Sequence, residues 1–229
     1  MQPLISVVDD DALIGLALAG LLESAGYKAR SFTSGNAFLG AYDPEVPGCV
    51  VTDLVMPEMS GLQLQGVLGA RDYCPPIVFM TGQGDVNAIA QAMKAGAVDF
   101  LCKPVQLEDL LAAVREALAR DTELRAKRAL RRHVRSLMDR LTPRERVVFE
   151  LVAAGLPNKA IARRLGRSEK TIKTQKGQVL EKMRVRSTLA LVQLLVKGDM
   201  ASALLQTSTA SQMATPLFFP AALSPETCV

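Results

Sequence analysis

The chain has 229 residues, 49% of them hydrophobic, with 27 Lys+Arg against 23 Asp+Glu. No apolar run approaches the roughly 20 residues that a spanning helix needs, so no membrane segment is expected. The charge is sorted along the chain: residues 1–119 hold 6 Lys+Arg against 14 Asp+Glu, a net of −8, and residues 120–229 hold 21 against 9, a net of +12. A single well-mixed domain does not divide its charge this way. Two domains are therefore expected, the second facing a polyanion, with nucleic acid the leading candidate.

The cysteines Cys49, Cys74, Cys102 and Cys228 form no C-x-x-C pair, and two of them fall inside predicted buried strands. A reducing cytosol fits this usage. The N-terminus MQPLISVVDDD lacks a basic n-region and an adequate h-region, so no signal peptide is expected and the localisation reads as cytoplasmic.

In chain order, the first ~120 residues alternate strand-like and helix-like segments, which predicts βαβ units and a parallel sheet. Leu4–Val8 is the first strand, followed by a helix carrying Leu18, Leu21, Leu22 and Ala25 on its buried face and ended by Gly26. Lys28–Phe32 is polar enough for an edge strand. A helix over Ser34–Ala41 leads to the strand Cys49–Thr52, and further helices are expected over Gly61–Ala70, Val86–Ala95 and Leu107–Arg120. The fold class is α/β: a five-stranded, doubly wound parallel sheet with five helices.

Residues 121–141 contain no Gly or Pro and read as a helical connector, with Leu130, Val134, Leu137 and Leu141 on one side and basic residues on the others. That apolar stripe is either a face packed on its own domain or a dimer seam. A second, all-α domain starts at Thr142-Pro143-Arg144-Glu145, where Thr142 caps, Pro143 suits the first turn and Glu145 completes a capping box. Val148, Leu151 and Val152 supply its buried stripe. Two helices, Asn158–Leu165 and Ser168–Met183, are joined through Gly166, and a fourth begins near Ser187. From Gly198 onward the chain carries only Asp199 and Glu226 as charges and reads as a disordered tail in which PLFFPAAL is a weak docking motif.

Four polar sites each follow an apolar run: Asp9/Asp10/Asp11 after LISVV, Asp53 after CVVT, Thr81 after IVFM and Lys103 after FLC. In an open α/β sheet the carboxyl ends of the strands share one edge, where ligands bind. The acids brought together there repel; two unit charges ~4 Å apart cost about 4 kcal/mol at an effective dielectric near 20. A hard cation relieves this, and Mg²⁺ takes one or two carboxylates together with phosphate oxygens and water. A carboxylate in such a site can attack phosphorus and give an acyl phosphate.

In the second domain, Ala162, Gly166 and Ile172 stand four and then six residues apart, the spacing of a helix-turn-helix. The second helix carries Lys170, Lys173, Thr174, Lys176 and Gly177 outward and Ile172, Val179 and Met183 inward. Lysine suits phosphate and the guanine edge.

The strings VVDDDAL, VTDLVMPEMSG, VFMTGQGD and MKAGAVDFLCKP resemble the receiver domain of bacterial two-component response regulators over about residues 3–120. The resemblance implies that Asp53 is the phosphoacceptor and that Mg²⁺ is held by Asp9, Asp10, Asp53 and the backbone carbonyl of Val55. It further implies a switch hydroxyl at Thr81, a phosphate counter-ion at Lys103, a switch aromatic at Phe100 and a cis bond before Pro104. Asp11 extends the acidic pair or merely caps the helix. Residues 141–197 resemble the four-helix DNA-binding domain of LuxR/NarL/FixJ-type regulators. By position, Lys173, Thr174 and Gly177 fall where that family reads bases, while Asn158, Lys159, Lys170 and Lys176 suit the phosphate backbone. Gln175 stands where many relatives have His.

The whole resembles the FixJ class of transcriptional activators. Its implied partners are double-stranded DNA, a sensor histidine kinase, RNA polymerase and, once phosphorylated, a second copy of the chain. The expected domains are a receiver at 1–120, a helical linker at 121–140, a DNA-binding domain at 141–197 and a tail at 198–229. No enzymatic activity beyond self-dephosphorylation is expected. Two other readings stay open. The order Asp9-x-Asp11, Thr81, Lys103 also matches haloacid-dehalogenase-type phosphohydrolases, although it then needs Glu108 and Asp109 as a further acidic pair and leaves Asp53 without a role. The third reading is a DNA-binding regulator that uses its receiver only for protein contacts.

Overall fold

The structure is a computed structural model that describes residues 1–82 and 86–198. The chain divides into two compact units, Met1–Ala126 and a second beginning at Lys127.

The first unit is a five-stranded parallel sheet in the order β2-β1-β3-β4-β5, built from β1 (Leu4–Val8), β2 (Lys28–Phe32), β3 (Gly48–Asp53), β4 (Ile77–Thr81) and β5 (Asp99–Cys102). Five helices connect and follow the strands: α1 (Ala12–Ser24), α2 (Gly35–Ala41), α3 (Gly61–Gly69), α4 (Val86–Lys94) and α5 (Leu107–Met138). The strands read as continuous apolar runs because both sheet faces are covered. On one face Ile5, Val7, Val51, Val78 and Met80 pack against Leu18 and Leu22 of α1 and Leu110, Val114 and Ala117 of α5. On the other, Val8, Val50, Ile77 and Phe79 pack against Phe38, Leu64, Leu68 and Ala92 from α2, α3 and α4. Each fully buried side chain of this size contributes about 1.5–3 kcal/mol.

Three expectations are corrected. The buried stripe of α1 is Gly15, Leu18, Ala19 and Leu22, while Leu21 and Ala25 are exposed. The helix is apolar nearly all round, so periodicity alone could not orient it. Strand β5 is an edge strand with a half-exposed pattern, and Cys102 at its end is exposed rather than core. The boundary expected at Arg120 is absent: the connector is helical as expected and continuous with α5, which runs unbroken to Met138 because nothing in 107–138 caps or breaks it.

The N-terminal end of the sheet is fastened by a polar cluster that periodicity could not reveal. Asp121, 2% exposed, accepts hydrogen bonds from the Gly48 N–H at 3.1 Å, from Arg125 Nε at 2.8 Å and from the Tyr73 hydroxyl. The Arg125 guanidinium lies over the Tyr73 ring at 4.6 Å and donates to the carbonyls of Pro44 and Val46. Burial, followed by the bond to Asp121, raises the Tyr73 pKa and keeps the phenol a donor. Burial pushes the neighbouring Cys49 thiol to about 12, with the Asp121 charge adding to the effect, so this cysteine is inert core.

The second unit has α6 (Pro143–Ala153), α7 (Asn158–Leu165), α8 (Glu169–Lys182) and α9 (Thr188–Lys197), together with the end of α5. Its core joins Val134, Leu137 and Leu141 to Val148, Phe149, Val152, Ile161, Ile172, Val179, Met183, Leu191 and Leu195, with Leu130 packed alongside. The stripe at 130, 134, 137 and 141 therefore packs on its own unit, which removes the reason to assign it to a dimer seam. Residues 199–229, including PLFFPAAL and Cys228, lie outside the described residues.

Candidate phosphoryl site and nucleic-acid interface

The order of the sheet reverses between β1 and β3, and at such a switch point the strand ends leave a crevice. The register pairs Val8 with Thr52 and Thr81 with Cys102. Asp9, Asp53, Thr81 and Lys103 consequently meet at one edge. Lys103 Nζ donates to Asp9 Oδ2 at 2.7 Å and to Asp53 Oδ2 at 2.6 Å. The other oxygens are held by backbone: Asp11 N–H donates to Asp9 Oδ1 and Val55 N–H to Asp53 Oδ1. Asp9 is 1% exposed and Asp53 8%, whereas Asp10 is exposed. Burial works against the Lys103 ammonium, but its bonds to Asp53 and Asp9 outweigh that, and its pKa is raised.

Ligand oxygens of Asp9, Asp10 and Asp53 all lie within 4.8 Å of one another. Three carboxylates against one ammonium leave two negative charges uncompensated. That donor set fits a hard divalent cation such as Mg²⁺. Asp11 is the cap of α1, its carboxylate accepting from Leu13 and Ile14 N–H, so among the described contacts its role is capping. Thr81 is buried, and its carbonyl accepts the Lys103 N–H at 2.7 Å. Phe100 is half-buried and stacks on Phe79 with ring centroids 6.4 Å apart. The Lys103–Pro104 bond is cis. Glycine at 61 lets α3 start hard against the site, since a Cβ there would meet the Asp53 carbonyl oxygen at 2.4 Å.

In the second unit, Thr142 and Glu145 form the expected capping box with Pro143 at the helix start. Gly166 ends α7 in the left-handed region at φ +61°, and Arg167 N–H bonds back to the Ala162 carbonyl at 2.9 Å. Ser168 caps α8 through Thr171 N–H. Buried Ala162 and Ile172 seat the two helices on each other. Lys170, Lys173, Thr174 and Gly177 are exposed on α8, while Gln175 and Lys176 flank the buried side and are partly covered. Asn158 and Lys159 open α7, whose cap is Pro157 with no side-chain bond to the free N–H groups.

The local sequence around Glu145 shows only a cap. One of its oxygens, Oε2, also accepts Lys182 Nζ at 2.6 Å beside Thr142 N–H at 2.7 Å and Thr142 Oγ1 at 2.9 Å, which fixes α8 to α6. Lys182 first, and then the Thr142 amide, hold the carboxyl down at about 2. A depressed carboxylate adds stability that is complete above its unfolded pKa of about 4.5 and is lost as pH falls toward 2. Circular dichroism should therefore show the second unit losing stability between pH 4.5 and 2. In Glu145→Gln that slope should be reduced; an unchanged slope would assign the acid sensitivity elsewhere.

Two family descriptions match the chain: "Response regulator receiver domain" over residues 5–115, and "Bacterial regulatory proteins, luxR family" over 139–195. Nodulation protein W of Bradyrhizobium diazoefficiens is 40% identical over 193 residues, covering 84% of this chain and 85% of that protein. The transcriptional regulatory protein FixJ of Azorhizobium caulinodans is 41% identical over 199 residues, covering 87% and 94%. The chain belongs to the response regulators with a luxR-type DNA-binding domain. The solved structure of the response regulator StyR is likewise similar, with TM-score 0.69 and 41% identity over 86% of this chain and all of that one. Response regulators of this kind are transcription regulators rather than classical enzymes. In this chain no helix among the described residues is long and apolar enough to cross a membrane.

Proposed function

We propose that this response regulator is a cytoplasmic transcriptional activator switched by phosphorylation of Asp53. The proposed division is a receiver at 1–120, a linker at 121–140 and a DNA-binding domain at 141–197. The observation that carries the reading is the double contact of Lys103 Nζ, which holds Asp9 and Asp53 together with Asp10 beside them. An oxygen of Asp53 attacks the phosphorus of a phosphohistidine on the kinase; the P–N bond breaks, the imidazole leaves and takes up a proton, and an acyl phosphate remains. Asp9, Asp10, Asp53 and the Val55 carbonyl would hold Mg²⁺, which offsets charge between acceptor and incoming phosphoryl group. Lys103 then pairs with a phosphoryl oxygen. Hydrolysis of the same acyl phosphate would reset the switch.

The kinase has to dock beside the pocket. Helix α1 starts there, and Leu13 and Leu16 are 79% and 63% exposed on it. The switch follows from differential contacts: Thr81 donates to the new oxygens, and Phe100 repacks in the space it leaves. Edge strand β5, which carries Phe100, and α4, where Met93 is exposed, offer a dimerising face. The dimer then meets DNA and RNA polymerase.

On α8, Lys173, Thr174 and Gly177 are assigned to base edges, while Lys170, Lys176, Asn158 and Lys159 are assigned to phosphates, with Gln175 at the margin. Lys173→Ala should lower specific affinity by about 1–3 kcal/mol and relax one base position, whereas Lys170→Ala should weaken all sequences and flatten the salt dependence. Fluorescence anisotropy on specific and random duplexes over a salt series tests this. Equal losses on both duplexes for both variants would contradict the assignment.

A further inference from the structure

Gly177 stands in the middle of α8 on its exposed side, yet nothing inside the protein asks for glycine there. Its backbone is helical without a positive φ, and a Cβ built on it would meet no atom within 4 Å. Glycine is the weakest helix former after proline, so its presence costs the free helix stability without an internal return. Thr174, three residues earlier, is its neighbour on the helix surface. The Thr174 hydroxyl donates to the Lys170 carbonyl at 3.1 Å, so its proton is already engaged, and what it offers a partner is the γ-methyl and an oxygen that can only accept. The absent Cβ at 177 therefore leaves a shallow notch beside Thr174, on a face that also carries exposed Lys170 and Lys173.

We propose that this notch receives the 5-methyl group of a thymine in the major groove. The inference rests on the DNA-binding reading and names the base it selects. Among the base edges in that groove only thymine projects a methyl group. A bound phosphate would need a hydrogen-bond donor, and the N–H of a mid-helix residue is already engaged within the helix. Without a Cβ at 177 the helix backbone can close on the base edge, and the flanking lysines take phosphates or a guanine.

The test uses the full-length protein, treated with a small phosphodonor, to select duplexes from a random-sequence pool. Thymines of the selected duplex are then replaced one at a time by deoxyuridine, which deletes the methyl group alone. One thymine in each half-site should prove sensitive, with affinity falling about fourfold, the worth of one buried methyl. Gly177→Ala should lower affinity for the thymine duplex about tenfold or more and abolish the distinction from deoxyuridine. Its thermal midpoint without DNA should not fall, which separates lost recognition from unfolding. Thr174→Val, which keeps a methyl and removes the hydroxyl, should preserve the methyl sensitivity, and Thr174→Ser should lose it. The proposal is overturned if no thymine is methyl-sensitive, if Gly177→Ala binds as tightly as the parent, or if Thr174→Val behaves like Thr174→Ser. A pool that yields no enriched sequence overturns the DNA-binding reading as well, whereas enrichment without a methyl-sensitive position defeats only the notch.

Discussion

Asp53→Asn is expected to eliminate phosphorylation-driven dimerisation altogether. The amide has nearly the shape of the carboxylate, and its single oxygen can keep one of the two bonds that Lys103 and the Val55 N–H make to separate carboxylate oxygens, so the backbone of the pocket should hold its form. What is lost is the nucleophile, because an amide oxygen does not form a stable bond to phosphorus under these conditions. Light scattering after treatment with a small phosphodonor and Mg²⁺ should show the parent chain shifting to dimer and the variant staying monomeric. A variant that still dimerises would mean that the phosphoryl group goes elsewhere or that dimerisation does not need it.

The largest stability effect is expected at Asp121, outside the reacting pocket. Asp121→Ala would leave the Gly48 N–H, the Tyr73 hydroxyl and the Arg125 guanidinium without their common acceptor. Removing one partner from a buried charged cluster costs about 3–5 kcal/mol, much of it the penalty on the groups left behind. Hydrogen exchange should show the Gly48 amide and the first residues of β3 opening correspondingly more often. Asp121→Asn, which keeps one acceptor oxygen, should fall between parent and alanine. A loss below about 1 kcal/mol for the alanine variant would show that solvent replaces the carboxylate readily.

The contrast between these two positions marks what the sequence made legible. Asp53 follows CVVT, a run that the sheet buries on both faces, and turn-adjacent polar residues after such runs converge by topology alone. Asp9, Thr81 and Lys103 were readable for the same reason, and so were the capping box at Thr142 and the turn at Gly166, which rest on local chemistry. Asp121 sits in a run of charged residues on a helix, where an acid four positions before an arginine usually means a solvated pair. Its burial depends on Tyr73 and Gly48, 48 and 73 positions away, and no local pattern encodes that meeting. Periodicity does not orient α1, because Leu13, Leu16 and Leu21 are as apolar as the residues it buries. The helicity of 121–138 is legible in the absence of Gly and Pro, but its continuity with α5 is not, because the change of role from sheet-covering helix to core of the second unit carries no break in helix propensity.

The residue that carries the phosphoryl group decides whether Asp53 is the switch. After treatment with a small phosphodonor and Mg²⁺, borohydride reduction converts an acyl phosphate on aspartate to homoserine, and peptide mass mapping locates it. Both Asp9 and Asp53 touch Lys103, so the two candidate acceptors compete within one pocket. Homoserine is expected at position 53 alone, with a rise in DNA affinity of the unreduced protein in proportion to the fraction modified. Homoserine at position 9, or full modification at 53 with unchanged DNA binding, would contradict that role for Asp53.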